Sequence, residues 1–481
     1  MTWIYPLAAQ VAETANVLGG KGYGLIVLHR LGLPVPPGFV ISTAACRAFL
    51  REERLPDGLA AELAAAISAL EAATRRRLGG SVRPLVVSVR SGGGVSMPGM
   101  MNTILNVGLT REATAALAAE TGGVRFALDS RQRFLSGFAA TVSGVAPDDA
   151  MRQLELAVCA VFSSWHTPRA KTYRELHEIP HHLGTAVVVQ AMAFGNRDDH
   201  SGSGVAFSRD PNTGERTPFG EVLFGCQGED VVSGRSKTRP LSELAVREPA
   251  VQAALAAALT RIEEHYRDAC QVEFTFEAGA LWLLQVRPGG LAGRAAVRVA
   301  VDLADEGVIS RREALLRVSP RHRQSARTPR IQSVGALDIL TRGIGACPGV
   351  AVGRAATTAD RAARMAATGP VILVRPYTSP LDMHGLAVAA GIVTARGGPA
   401  SHAAVVARAL GKPAVVGAAD LVVDDAAASA RAGGRTLPEG TLLTIDGTSG
   451  EVVVGSPPII TAPTDSHLRR LLEWAEEIDV R

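Results

Sequence analysis

Residues 320–330, PRHRQSARTPR, are basic, carry two prolines and a serine, and hold almost no apolar side chain. Such a stretch reads as a linker, so the chain is expected to fold as separate bodies on either side of it. Its 481 residues also exceed what one ordinary core accommodates, and two or three domains are expected. Residues 1–290 form the first, alternating helical and extended signals, with a helical insert over about 111–180 carried by RQRFLSGFA and ELAVCAVFSSW. Strands return at 185–193, around 203–208 and at 272–287. A helical linker is expected over 291–340, and a second domain over 341–457, where AVGRAA, VILVR, GIVTA, TLLTID and EVVVG alternate with helices and glycine turns. The tail, 458–481, contains the amphipathic SHLRRLLEWAEEIDVR.

Composition narrows the function class. With 47% hydrophobic and 20% charged residues the chain is typical of soluble globular proteins, and no uninterrupted apolar run approaches the roughly 18 residues of a membrane span. The opening MTWIYPLAAQVAET lacks a basic n-region and reads as mature sequence. The five cysteines are scattered and never form C-x-x-C pairs, which argues against disulfides or structural zinc and for a reduced, cytoplasmic setting. A net charge of +4 from 50 basic and 46 acidic residues argues against a nucleic-acid partner, although it leaves room for a pocket that binds a polyanion such as ATP. Only four residues are lysine, and one of them, Lys21, stands among glycines in LGGKGYGL.

That GGKGYG stretch fits neither the Walker A nor the G-x-G-x-x-G pattern; it is either a plain turn or a loop whose backbone N–H groups and movable cation meet phosphate. In PLVVSVRSGGG, alternation puts Arg90 opposite Val87 and Val89 and at a strand end beside three glycines, either solvated or a second phosphate cation. In QVEFTFEAGALWLLQVRP, burying Val272, Phe274 and Phe276 together with Trp282, Leu284 and Val286 demands a three-residue loop, Ala278-Gly279-Ala280. That register sets Glu273 opposite Gln285, with Arg287 further along the same face; this is either an exposed polar face or a pair of oxygen donors for magnesium on ATP phosphates. Asp198-Asp199-His200 lies in a glycine-rich polar stretch and reads as a turn. In GGPASHAAVV the Gly397-Gly398 pair permits a reversal, Ser401 is a candidate N-cap, and His402 falls in the first turn of a helix running through Leu410 to Gly411. There the helix dipole favours a neutral, nucleophilic imidazole, although first-turn histidines also serve as ordinary polar residues.

GGPASHAAVVARALGKPAVVG (397–417) closely resembles the phosphohistidine segment of the phosphoenolpyruvate-utilising enzymes. VSVRSGGGVSMPGMMNTILNVGL (87–109) resembles the nucleotide-binding part of pyruvate phosphate dikinase, and AVVVQAMAFGNRDDHSGSGVAFSRDPNTGE, CQGEDVVSG, the 271–287 hairpin and GIGACPGVAVG extend the likeness over nearly the whole chain. The resemblance implies a multidomain α/β (α+β) fold: an ATP-grasp-like nucleotide-binding domain followed by a swivelling phosphohistidine β/β/α domain. It further implies that Lys21, Arg90 and Arg287 hold phosphates, that Glu229 contacts the nucleotide, that Glu273 and Gln285 hold Mg2+, and that His402 accepts the phosphoryl group. In that family ATP and inorganic phosphate convert the histidine to phosphohistidine, releasing AMP and pyrophosphate.

Three departures qualify the likeness. Gln271 and Asn102 stand where the family pattern has Asp, and Ala400 stands where many dikinases have a regulatory Thr. The barrel that binds phosphoenolpyruvate and pyruvate is not represented, since the sequence stops within EWAEEIDVR. The expected function is therefore a dikinase-like phosphotransferase that loads His402. Its acceptor is unknown: pyruvate if a separate barrel polypeptide supplies the site, or another molecule. The alternative is a nucleotide-binding regulatory or phosphocarrier protein with little turnover. Either way, the scheme needs a ring nitrogen of His402 that can reach a bound triphosphate.

Overall fold

The computed structural model describes residues 2–479 except 96, 98, 143, 234–235, 237, 327–328, 333–336 and 462–464. The fold is mixed α/β and multidomain, as the motifs imply. Its residues group into two compact units, Met1–Gly202 with Phe274–Val286, and Ser203–Glu273 with Arg287–Arg481. Neither unit coincides with the 1–290 and 341–457 domains expected above.

The first unit is built on strands β1 (Ile4–Pro6), β2 (Gly38–Ile41), β3 (Val87–Gly93), β4 (Thr103–Val107) and β5 (Thr185–Ala191), in the order β1-β2-β5-β3-β4. Every pairing in it is antiparallel. Helices α1 (Ala15–Arg30), α2 (Thr43–Glu52), α3 (Leu59–Thr74), α4 (Arg111–Thr121), α5 (Val124–Ala139), α6 (Ala150–Ser163) and α7 (Pro168–Leu176) accompany it. The core holds Phe49, Leu63, Ile67, Val87, Val89, Phe134, Phe138, Phe162 and Val187, so the apolar alternation of β3 and the apolar faces of α2, α3, α5 and α6 meet there. Residues 111–176 are helical apart from the connections between α4, α5, α6 and α7.

A second sheet has the order β8-β7-β6-β9-β10, from β6 (Gly202–Phe207), β7 (Phe219–Phe224), β8 (Arg239–Pro240), β9 (Cys270–Glu277) and β10 (Ala280–Pro288). The second unit contains α8 (Gly228–Val232), α9 (Pro249–Tyr266) and three further helices, α10 (Gly293–Asp305), α11 (Arg311–Arg317) and α12 (Pro320–Ala326). The PRHRQSA stretch, read as a linker within the helical 291–340 region, is α12: proline is tolerated at a helix start, and Ala326 is buried with Val297, Val301, Ala314 and Leu471. After it, β11 (Pro329–Ile331) pairs antiparallel with β20 (Ile459–Thr461), while Arg327, Thr328 and residues 333–336 lie outside the described set. The C-terminal α15 (Ser466–Asp479) places Leu468, Leu471 and Trp474 in the same core as α10 and α11.

The second unit also holds an eight-stranded sheet. Its strands are β12 (Ile339–Arg342), β13 (Ile344–Cys347), β14 (Val350–Ala356), β15 (Val371–Arg375), β16 (Gly391–Thr394), β17 (Ala414–Val416), β18 (Leu442–Asp446) and β19 (Glu451–Val454), in the order β12-β19-β18-β14-β15-β16-β17-β13. The central β14-β15-β16-β17 run is parallel, and helices α13 (Met383–Val388) and α14 (His402–Leu410) lie on crossovers within it. Among the described residues no helix is long and apolar enough to cross a membrane.

Candidate active site

In the first unit the site begins where two glycine runs touch. The expected GGKGYG turn contracts to one residue: Gly19, at φ 67° and ψ 159°, breaks α1, and Lys21 enters the helical stretch that follows. The left-handed backbone favours glycine, and space demands it, because a Cβ at Gly19 would lie 1.6 Å from the carbonyl oxygen of Gly92. A Cβ at Gly92 would in turn sit 3.2 Å from Cβ of Lys21. Lys21 is thus mounted at the start of a helical run against the glycine end of β3, an arrangement whose N–H groups and dipole suit phosphate.

Arg90 differs from expectation. The strand runs on through Gly93, so Arg90 lies within it, paired with Thr103 and Val188. Its side chain is buried, donating from Nη2 to Gln190 Oε1 at 2.7 Å and to the Leu284 carbonyl at 2.8 Å. Alternation assigned its face correctly but could not say that glycines would extend the strand. Through Leu284, Arg90 reaches the residue before Gln285, whose amide is also buried.

The hairpin turn is shorter than expected. Only Ala278 (φ 49°) and Gly279 (φ 77°) separate β9 from β10, the two positive φ values of a type I′ turn. Leu281 and Leu283 are buried while Trp282 and Leu284 are half-buried, displacing the expected alternation by one near the turn. The Glu273–Gln285 opposition rested on the three-residue loop and loses that support. What selects the short turn is tertiary: the N–H of Ala278 donates to Ser201 Oγ at 2.9 Å and that of Gly279 to the His200 carbonyl at 2.9 Å. Asp198 Oδ1 accepts from the His200 N–H at 3.0 Å and from Ser201 Oγ at 2.6 Å, so the Asp198-Asp199-His200 stretch is the expected turn.

In the second unit Glu229 is exposed at the start of α8. Glu273 and Arg287 are half-buried and form an ion pair at 3.8 Å. Among the described residues no group of three or more His, Cys, Asp or Glu could hold a metal. A carboxylate and an amide oxygen are each hard donors of the kind Mg2+ accepts, so Glu273 and Gln285 individually suit that ion by donor chemistry.

His402 is the first residue of α14. Ser401 occupies the N-cap position with extended φ/ψ, but its hydroxyl does not cap the helix. Nδ1 of His402 shares a 3.0 Å hydrogen bond with Thr378 Oγ1. Burial pushes the His402 pKa down to about 4, against the smaller opposing pull of the Asp382 carboxylate, so the ring is neutral at pH 7. Nε2 of His402 and Oγ of Ser401 are both covered and have no hydrogen-bond partner among the described residues. An open ring nitrogen was expected; in this arrangement it is closed.

The segment preceding His402 docks on β7. The Ala400 N–H donates to Glu221 Oε2 at 2.7 Å, and a Cβ at Gly398 would lie 1.5 Å from Glu221 Oε1. Thr238 Oγ1 donates to the same carboxylate. Ala400 packs with Val205, Phe207, Leu223 and Val231. Arg408 of α14 donates to Pro399 O at 2.8 Å and to Ala346 O at 3.2 Å, with its guanidinium 5.6 Å above the Phe207 ring. Burial pulls the Arg408 pKa down to about 10 and raises that of Glu221, the latter opposed by Thr238, the Ala400 N–H and Arg408. Thr378 and Asp382 carry no spacing signal that links them to His402. Glu221 has a weak one, as the lone acid in the apolar strand FGEVLF.

The buried neutral imidazole makes stability depend on pH. Its folded pKa lies below the unfolded value near 6.5, so its contribution is present above pH ~6.5 and is lost as pH falls toward about 4. The full loss is about 3 kcal/mol. Urea unfolding at several pH values in this window is expected to show that slope, and His402→Asn is expected to flatten it.

Comparison with known proteins places the two regions in one lineage. Residues 15–75 and 52–240 match the pyruvate phosphate dikinase AMP/ATP-binding domain, and residues 367–450 match the mobile domain of PEP-utilising enzymes. A pyruvate, phosphate dikinase of Rhizobium meliloti (strain 1021) is 39% identical over 98% of this chain and 60% of its own length. Pyruvate, phosphate dikinase 2 of Oryza sativa subsp. japonica and of Zea mays are each 40% identical over 96% of this chain and 58% of theirs. The chain thus spans about three fifths of the length of these relatives. With a glycine-mounted lysine in one matched region and a buried neutral helix-start histidine in the other, the chain belongs to the pyruvate phosphate dikinase family of PEP-utilising enzymes.

Proposed function

We propose that the protein is a pyruvate phosphate dikinase-like phosphotransferase in which ATP, with inorganic phosphate, phosphorylates Nε2 of His402, releasing AMP and pyrophosphate. The observation that carries this is the state of the ring: neutral, oriented through Nδ1 by Thr378, and with Nε2 paired to nothing among the described residues. A buried unpaired polar atom costs roughly 1–3 kcal/mol, a cost a reactive nitrogen bears more readily than a structural one. Lys21, Arg90 and Arg287 supply phosphate-binding cations, and Glu229 contacts the nucleotide. Glu273 and Gln285 would hold Mg2+, which when bound neutralises charge on the phosphates. Because Nε2 is covered while Ala400 is docked on β7, transfer requires the 397–402 segment to leave Glu221, in keeping with a domain that swivels.

The phosphoryl group then passes to an acceptor, pyruvate if a barrel domain provides its site. A second reading, a nucleotide-binding carrier with little turnover, draws on the closed Nε2 and on Gln271 in place of Asp. Incubation with β-labelled ATP, Mg2+ and phosphate is expected to leave acid-labile label on the protein and to release AMP. Neither product would favour the carrier.

A further inference from the structure

Helix α14 opens without a cap. At an ordinary helix start the N-cap side chain accepts from the N–H of the second or third helical residue. Ser401 holds that position with extended φ/ψ, yet its hydroxyl makes no such bond. Val405 is the first helical residue whose N–H has an acceptor, the Ser401 carbonyl at 3.0 Å. The N–H groups of His402, Ala403 and Ala404 have none among the described residues. Ser401 is 3% exposed, and its Oγ, like Nε2 of His402, is covered and unpaired among the described residues. Three N–H groups, a hydroxyl and a ring nitrogen thus lie unbonded within residues 401–404, at the positive end of a nine-residue helix. The adjoining residues already hold an anion. Glu221, itself 4% exposed, accepts the Ala400 N–H at Oε2, 2.7 Å away, and its Oε1 fills the space a side chain at Gly398 would take.

Buried donors left unpaired are costly unless a ligand completes them, and an anion at a helix start does so best. We propose that the start of α14 is a site for phosphate oxygens, with the Ser401 hydroxyl and the N–H groups of residues 402–404 as donors. The Glu221 carboxylate stands in for that ligand, one residue upstream, while the segment is docked on β7. Ser401 donates a hydrogen bond and forms no covalent bond. The ligand chemistry is a phosphate group, either the phosphoryl group on Nε2 of His402 or a free phosphate ion. Only the first of these sources rests on the reading of His402 as phosphoryl acceptor.

The test is titration of inorganic phosphate into the nitrogen-labelled full chain, Ser401→Ala and Glu221→Gln, read at the backbone amides of His402, Ala403 and Ala404. Saturable shifts are expected in the parent. Ser401→Ala is expected to bind about 10-fold more weakly, the effect of losing one hydrogen bond to a charged group. Glu221→Gln is expected to bind about 3-fold or more tightly, because a neutral amide competes less for the segment; a merely structural Ser401 would not produce these opposite changes. Ser401→Ala within twofold of the parent would overturn the proposal, as would Glu221→Gln binding no more tightly than the parent, or no shift at these amides in either. Should Ser401→Ala fail to fold, Glu221→Gln decides alone. Acid-labile label formed at least about 10-fold more slowly in Ser401→Ala, at unchanged ATP affinity, identifies the phosphoryl group on His402 as the ligand. Unchanged labelling with weakened phosphate binding identifies the free ion. Amide shifts without acid-labile label in the parent would sink the His402 proposal and leave this site standing.

Discussion

Alanine at His402 is expected to abolish acid-labile labelling of the chain while leaving ATP binding intact. The imidazole is the one group in its surroundings that combines a neutral nucleophilic nitrogen with a hydrogen bond fixing the opposite nitrogen, here to Thr378. No neighbouring side chain offers a substitute: the Ser401 hydroxyl is unactivated, and Asp382 is already engaged by the Ser379 N–H at 2.8 Å. Loss of the nucleophile removes the phosphorylated product altogether rather than slowing its formation. Thr378→Val should be milder, since it frees the tautomer and ring orientation without removing Nε2. Retained acid-labile label in His402→Ala would show that another residue is the acceptor.

The second large effect is expected at Gly19. A Cβ there meets a backbone carbonyl at 1.6 Å, and a backbone atom of a residue paired with Ala186 cannot rotate away as a side chain can. The φ of 67° adds a left-handed penalty of roughly 1–2 kcal/mol for any L side chain, and overpacking adds ~1–3 kcal/mol. Gly19→Ala is therefore expected to destabilise the protein by about 3 kcal/mol or more. It should also weaken ATP binding, because relief of the clash must separate α1 from β3 and displace Lys21. Urea unfolding and ATP titration check both parts. A change under about 0.5 kcal/mol, the range of ordinary surface substitutions, would contradict this account of the glycine contact.

What the sequence conveyed depended on how local the cause was. The start of α14 was legible because its determinants, Gly397, Gly398, Pro399 and Ser401, adjoin His402, and the helix does begin there and end at Leu410 before Gly411. Arg90 was assigned to the right face of its strand but to the wrong depth, since glycines that look like a terminus instead continue β3 beneath α1. The hairpin turn was missed by one residue because Ala278 adopts a positive φ under anchoring by Ser201, a partner 77 residues away. The PRHRQSA helix was taken for a linker because its stabilisation comes from α10, α11 and α15 rather than from its own composition. Least legible were the surroundings of His402: neither Thr378, which bonds Nδ1 from 24 residues before His402, nor Glu221, which holds the Ala400 N–H from 179 residues before it, is connected to the histidine by any sequence pattern, and none signals that Nε2 is covered. The motif marked His402, and only the tertiary structure shows that its Nε2 is covered.

The central claim, that Nε2 of His402 receives the phosphoryl group, is tested most directly by NMR of nitrogen-labelled protein after incubation with ATP, Mg2+ and phosphate. The account predicts phosphorus–nitrogen coupling at Nε2 of His402, with Nδ1 still bonded to Thr378. Coupling at Nδ1, or a phosphoryl group on any other residue, would contradict it.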